Sequence, residues 1–286
     1  MPNIKKRLFE EKVFKATMLA SCVSVVLVFM YMLVTVVIKG LPGLSWQMLT
    51  QPPKGGYYMG GEGGILNAIL GSLYLAIGAT FLAALISIPV VLYLNVYLKK
   101  DSKFAVLVRF SFDVLWGIPS IVYGAFGFAI MVFFHLRASL LAGMITIALL
   151  ELPIMSRAAD NILKMVPHEL KEISLSLGAT RFETATRVVF RQAIPGILTA
   201  LLIGFGRGVG DAASVLFTAG YTDSLPTSLL RPVATLPLAI FFQLGTPFPE
   251  VQQRGYTAAL VLIFMILAIS IVSRLLTARF HKHTLR

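Results

Sequence analysis

The apolar residues of this chain are gathered into blocks too long for a soluble core. They lie near residues 16–38, 65–98, 104–134, 138–156, 193–220 and 255–278. A helix of about 20 apolar residues covers the ~30 Å of hydrocarbon in a bilayer. Inside hydrocarbon each backbone N–H and C=O needs a partner within the chain, which a helix supplies by itself. The blocks therefore predict an all-α membrane protein of about six transmembrane helices. Only 13% of the residues are charged, against about 25% in soluble domains. The second block is over-long for one crossing, so it must tilt, kink at Pro89 or run past the bilayer.

Lys5, Lys6 and Arg7 ahead of an apolar run resemble a signal peptide, and Leu19-Ala20-Ser21-Cys22 spells a lipid-attachment sequence. The run continues to Ile38, however, and cleavage inside it would leave half a span. Cys22 therefore reads as a residue of the first helix, and a single cysteine excludes an internal disulfide. Residues 39–64 hold Pro42, Pro52 and Pro53 with Gly55, Gly56, Gly60, Gly61, Gly63 and Gly64, which predicts an exposed loop. The stretch 221–254, with Pro226, Pro232 and Pro237, predicts a re-entrant or interfacial segment, not another crossing.

The net charge of +12 sorts by loop. Lys5, Lys6, Arg7, Lys12 and Lys15 precede the first block; Lys99, Lys100, Lys103 and Arg109 follow the second. Arg157, Lys164, Lys171, Arg181, Arg187 and Arg191 lie between the fourth and fifth, and Arg274, Arg279, Lys282 and Arg286 end the chain. The opposite loops hold only Lys39, Lys54, Arg137, Arg231 and Arg254. This asymmetry places both termini in the cytoplasm. It leaves no concentrated basic patch for nucleic acid.

The remaining basic residue, Arg207, falls inside the fifth block with Asp211 four residues on, so helical spacing puts both on one face. A charge in the middle of a span costs about 2.5–3.5 kcal/mol, and such groups are by default read as an ion pathway or gate. Gly204, Gly206, Gly208 and Gly210 surround the pair and invite close backbone approach or local unwinding. Glu151 and Asp113 lie near the ends of their blocks, where water reaches them, and read as structural. His281 and His283 sit in a basic tail and read as membrane-surface charge, not as metal ligands. No nucleophile has an adjacent base in sequence, and no Gly-x-x-x-x-Gly-Lys-Ser/Thr loop occurs, so the chain carries no P-loop.

The polar segment 157–192 reads as a helical hairpin. Pro167 suits a first helical position and Glu169 the helix N-terminus; Leu170, Ile173 and Leu177 form one apolar stripe, and Gly178 ends the helix. Thr180-Arg-Phe-Glu183 is a capping box opening a second helix. Such a hairpin either lies on the membrane surface or docks its stripe in a partner's groove.

Glu172-Ile-Ser-x-x-x-Gly178 resembles the Glu-Ala-Ala-x-x-x-Gly signature of ABC importer permeases, with Ile173 and Ser174 replacing the alanines and Arg191 where the family has a proline. A closer resemblance, over about residues 62–282, is to the permeases of Pst-type phosphate importers. It is carried by Gly63-Gly-Ile-Leu-Asn-Ala-Ile-Leu-Gly-Ser72, Leu175-Ser-Leu-Gly-Ala-Thr180, Pro195-Gly-Ile-Leu-Thr199 and Thr218-Ala-Gly220. Leu225-Pro-Thr-Ser-Leu229 and Thr235-Leu-Pro-Leu-Ala-Ile240 are similar to the A-type member of the permease pair. Gly206-Arg207-Gly-Val-Gly210-Asp211 matches a family element implicated in phosphate passage, with Asp211 in place of the usual Glu.

The resemblance implies a type I ABC importer permease: a cytoplasmic tail over 1–15, a first transmembrane helix over 16–38, an extracytoplasmic loop over 39–64, a permease domain over 65–278 with its coupling segment at 157–192, and a basic tail over 279–286. It implies coupling to an ATPase through Glu172, Gly178, Leu170, Ile173 and Leu177, and a substrate pathway at Arg207 and Asp211. The implied partners are a C-type permease, two ATPase subunits that use ATP and Mg, a phosphate-binding protein outside the cell membrane, and the lipid bilayer. The chain itself would need no cofactor. Molybdate or sulfate import, or a secondary anion transporter, are the competing expectations.

Overall fold

The computed structural model describes residues 4–54, 62–99 and 102–280. The glycines at 55, 56, 60 and 61, Lys100, and the tail with His281 and His283 lie outside the described residues.

Helix α1 (Ile4–Gly40) runs from the charged N-terminal residues straight through the first apolar block, and nearly all of its surface is exposed. It is tied at its end to the last helix, where the Thr257 hydroxyl donates to the Gly40 carbonyl at 3.0 Å. A 3-10 turn, Leu41–Gly43, leads to α2 (Trp46–Thr50), whose start is capped by Ser45. Two-residue strands β1 (Pro53–Lys54) and β2 (Glu62–Gly63) pair antiparallel with Pro53 opposite Gly63.

Helix α3 (Leu66–Leu92) continues through Pro89 and ends in a π-helical turn, Tyr93–Tyr97. Helices α4 (Lys103–Trp116) and α5 (Ser120–Phe133) then meet at a bend of 100°. The sequence predicted one unbroken crossing over 104–134. The break falls at Gly117-Ile118-Pro119, because Pro119 has no N–H to give and disfavours the helical conformation of the residue before it. The Tyr123 hydroxyl bridges the corner by donating to the Leu115 carbonyl at 2.9 Å.

Helix α6 (Leu140–Lys164) is followed by α7 (His168–Ser176) and α8 (Arg181–Glu183). A π-helical turn, Thr184–Val189, joins α8 to α9 (Phe190–Val209). Helices α10 (Leu236–Leu244) and α11 (Pro249–Phe280) complete the chain. Among the described residues five stretches are long and apolar enough to cross a membrane, and α4 with α5 forms a sixth as a broken span.

The core surrounds α6, which packs against α3, α9, α4 and α5. Its contact faces are built from small residues: Ala79 and Ala83 on α3, Ala148 and Ala159 on α6, Ala193 and Ala200 on α9. Small side chains let helix axes approach where lipid offers no hydrophobic drive to association. The irregular stretch between α9 and α10 threads into this bundle and satisfies the start of α6. Ser139, Leu140 and Leu141 donate their N–H groups to the carbonyls of Thr218, Arg231 and Leu229 at 3.0, 2.9 and 2.8 Å. These are among the backbone donors a helix start leaves open. The Ser72 hydroxyl accepts from the Leu236 N–H at 2.8 Å, pinning the start of α10 to α3.

Gly71 lies where a Cβ would overlap the Ala234 carbonyl oxygen and crowd Val233. Gly71→Val is expected to lower stability by about 1–3 kcal/mol. Gly245→Ala, whose Cβ would meet only ordinary contacts, should stay within about 0.5 kcal/mol. Thermal unfolding in detergent of both variants is the check.

Candidate functional site

Arg207 occupies the last turn of α9, and the helix ends at Val209 with Gly210 as its C-cap. Glycines at 206, 208 and 210 each weaken the helix by about 1 kcal/mol relative to alanine, which accounts for an ending short of residue 220. Asp211 therefore lies beyond the helix, not on the helical face that its spacing from Arg207 predicted. Its Oδ2 accepts from the Ser214 N–H at 3.0 Å and starts the tight turns that follow. Its Oδ1 stands 3.9 Å from Arg207 Nη2, the outer limit of an ion pair.

Asp211 is buried while Arg207 is half-exposed. The guanidinium borders a cavity of about 270 Å³ whose other walls are Leu115, Trp116, Ile118, Leu150, Ile154 and Ile203. The wall from α4 is its last turn, next to the break. On the far side of the turns, Gly124 of α5 lies so close that a Cβ would stand 2.8 Å from the carbonyl oxygens of Ala213 and Ser214. The Asp211 turn is thus clamped between α9 and α5.

The glycines divide between two roles. Gly204 and Gly208 face α6, whereas Gly206 has open space beside it. The groove formed by Gly204 and Gly208 receives Glu151, expected at a wet interface but 0% exposed here. Neither carboxyl oxygen of Glu151 has a hydrogen-bond partner among the described residues. The sequence carried only part of the signal for this placement, two glycines four apart; the packing of α9 on α6 alone brings an acid to them. Asp113 pairs with Arg157 at 3.1 Å and joins α4 to α6. Among the described residues no group of His, Cys, Asp or Glu is arranged to hold a metal ion.

The hairpin lies at the other end of α9. Pro167 caps α7 from outside instead of starting it. Gly178 ends α7 at φ +84°, with its own N–H bonded to Leu175 and the Ala179 N–H bonded to Ser174, so the chain turns through a left-handed residue as a glycine allows. The capping box closes in both directions, Glu183 N–H to Thr180 Oγ1 at 3.2 Å and Thr180 N–H to Glu183 Oε2 at 3.0 Å. The expected apolar stripe splits. Leu170 packs against the core, while Ile173 is exposed and Leu177 is 83% exposed. Glu172 is exposed and meets His168 Nδ1 at 3.1 Å.

Helices of this length and apolarity around a small-residue core define a multi-pass membrane protein. Comparison with known proteins narrows the class. The family described as binding-protein-dependent transport system inner membrane component matches residues 87–286, and the chain belongs to that family.

The phosphate transport system permease protein PstA 2 of Mycobacterium tuberculosis is 32% identical over 275 residues, covering 94% of this chain and 89% of that protein. PstA of Yersinia pestis is 34% identical over 252 residues, covering 87% and 83%. The probable phosphate transport system permease protein PstA of Methanocaldococcus jannaschii is 32% identical over 273 residues, covering 94% of each chain. A structure of the MetNI methionine ABC transporter in an inward-facing conformation matches with TM-score 0.63 at 19% identity, covering 76% of this chain and 95% of that one. The shared fold is that of type I ABC importer permeases.

A Cβ on Gly208 would overlap Glu151 Oε1 and stand 2.8 Å from Ile147. Gly208→Val should therefore push α9 from α6 and lower stability by about 1–3 kcal/mol. Adding Glu151→Ala should recover part of that loss, and a double-mutant thermal cycle measures the recovery.

Proposed function

We propose that this chain is the A-type permease subunit of an ABC importer that carries inorganic phosphate into the cytoplasm. The observation that carries the reading is Arg207: a cation at the wall of a cavity, in a chain whose relatives are named as phosphate permeases. A guanidinium offers planar, fixed donors suited to phosphate oxygens. Asp211 anchors the turn after α9 through Ser214 and stands 3.9 Å from Arg207. That loose pairing does not saturate the donors of Arg207. A cation as substrate would leave the arginine without a rationale, which confines the competing substrates to other oxyanions such as sulfate and molybdate.

The energy comes from separate ATPase subunits, with ATP and Mg bound there. Helix α7 is the coupling helix: Glu172, Ile173 and Leu177 present an exposed surface that a groove on the ATPase covers, with Leu170 rooting the helix in the core and Gly178 turning the chain back. The excess of basic residues in these loops supports a cytoplasmic location for this end and for both termini. A second, C-type permease faces Arg207 and Gly206, so the pathway lies between the two subunits. A binding protein delivers phosphate on the opposite side.

ATP-dependent uptake of labelled phosphate into liposomes holding the assembled complex tests this reading, with sulfate and molybdate as competitors. Uptake that resists both competitors is expected. Uptake of a competitor in its place overturns the substrate. Arg207→Ala should cut phosphate uptake by about 10- to 100-fold with assembly intact, the loss expected for charged hydrogen bonds. Arg207→Lys should retain part of the uptake. Full uptake by Arg207→Ala would remove Arg207 from the pathway.

A further inference from the structure

The sequence drew no attention to Asp160, yet it is 0% exposed and binds three elements at once. Arg109 of α4 reaches it with two nitrogens, Nε to Oδ2 at 3.0 Å and Nη2 to Oδ1 at 3.2 Å. Asn95 Nδ2, in the π-helical turn after α3, donates to Oδ1 at 2.8 Å. Lys164 Nζ, one turn further along α6, pairs with Oδ2. Removing one partner from a buried ion pair leaves an uncompensated charge, so these elements move together or the cluster breaks.

The hairpin holds the other side of the same π turn. Lys171 Nζ of α7 donates to the Asn95 carbonyl at 3.1 Å, and Arg181 Nη1 of α8 donates to the Tyr97 carbonyl at 3.2 Å. The π turn at Thr184–Val189 packs against the one at Tyr93–Tyr97, and Ser174 Oγ lies 2.9 Å from Thr184 Oγ1. Such turns are frequently found at functional sites. On the membrane side, α4 is fastened to α6 a second time, one turn on, by Asp113 and Arg157. The last turn of α4 supplies Leu115 and Trp116, two walls of the Arg207 cavity. A polar and helical connection thus runs from α7 through the π turn, Asp160 and α4 to the wall of the cavity that Arg207 borders.

We infer that Asp160 is the positioning residue of a relay that transmits displacement of the α7–α8 hairpin to the broken span α4 and so to the cavity at Arg207. The inference rests on α7 being the coupling helix. Asp160 touches neither substrate nor nucleotide; it keeps the ATPase stroke and the pathway wall in register.

The test measures phosphate carried per ATP hydrolysed by the full complex in liposomes. Asn95→Ala cuts the link between Asp160 and the π turn while leaving the Arg109 pair and the backbone acceptor of Lys171. It should keep assembly and ATP hydrolysis near wild type and lower transport per ATP by about 2- to 30-fold, the span of coupling changes along such networks. Asp160→Asn should show the same split, and the double variant should be no worse than Asp160→Asn alone. If Asp160→Asn does not assemble, Asn95→Ala carries the test by itself. An unchanged ratio in Asn95→Ala, or hydrolysis and transport falling in proportion, overturns the relay. Leu177→Glu separates the two readings. Full ATPase recruitment by that variant sinks the docking role of α7. Recruitment lost there with an unchanged ratio in Asn95→Ala sinks the relay alone.

Discussion

The packing of α6 between α3 and α9 is the constraint on which the rest of the structure depends. In a bilayer, lipid tails are as apolar as the helices, so helices associate through close van der Waals fit and through polar groups that have no better partner. Alanine and glycine faces on all three helices allow that fit, with Ala79, Ala159 and Ala200 almost wholly buried. Where the fit is tightest, glycine is obligatory: Gly208 admits the Glu151 side chain, and Gly71 admits the carbonyl of Ala234. The irregular stretch between α9 and α10 is then tolerable at depth, because its carbonyls bind the open end of α6.

The four acids facing α6, α9 and their neighbours show how one chemistry serves different ends. Asp160 is buried with two cations and an amide around it, a cluster that locks elements together. Asp113, more exposed, repeats the α4–α6 link with Arg157. Asp211 divides itself between a backbone N–H and Arg207. Glu151 is buried in a glycine groove without a hydrogen-bond partner among the described residues. Of the corresponding basic groups, Arg109 is largely buried and fully engaged, whereas Arg207 is half-exposed and loosely paired. That difference leaves the Arg207 guanidinium, unlike that of Arg109, partly open to its surroundings.

Much of this was legible without coordinates because it depends on local rules. Long apolar blocks impose helices, since hydrocarbon leaves the backbone no other donor or acceptor. Gly178 as the end of α7 and the Thr180–Glu183 capping box follow from conformational preference and hydrogen bonding within a few residues. Arg207 stood out because a charge in an apolar block is costly wherever the block folds. Ile173 and Leu177 were recognisable by spacing and Glu172 through the family resemblance, and the exposure of Ile173 and Leu177 follows from their face of α7 lying outside the core.

Other features depend on which elements meet, and no local rule specifies that. Asp211 leaves the face of Arg207 because α9 ends at Val209, and the Ser214 N–H and the close approach of α5 then give its carboxylate a different place. The stripe on α7 divides because Leu170 alone reaches the core. Glu151 is buried instead of wetted because two glycines of a distant helix settle against it. Asp160 gathers Asn95 and Arg109 from residues 65 and 51 positions away. The sequence by itself determined the membrane, the helices, the caps and the one exceptional arginine, all consequences of solvent and short-range sterics. Only tertiary structure decided the counter-ions, the broken span's role as a cavity wall and the buried acids, because each is a matter of which side chain another helix brings within reach.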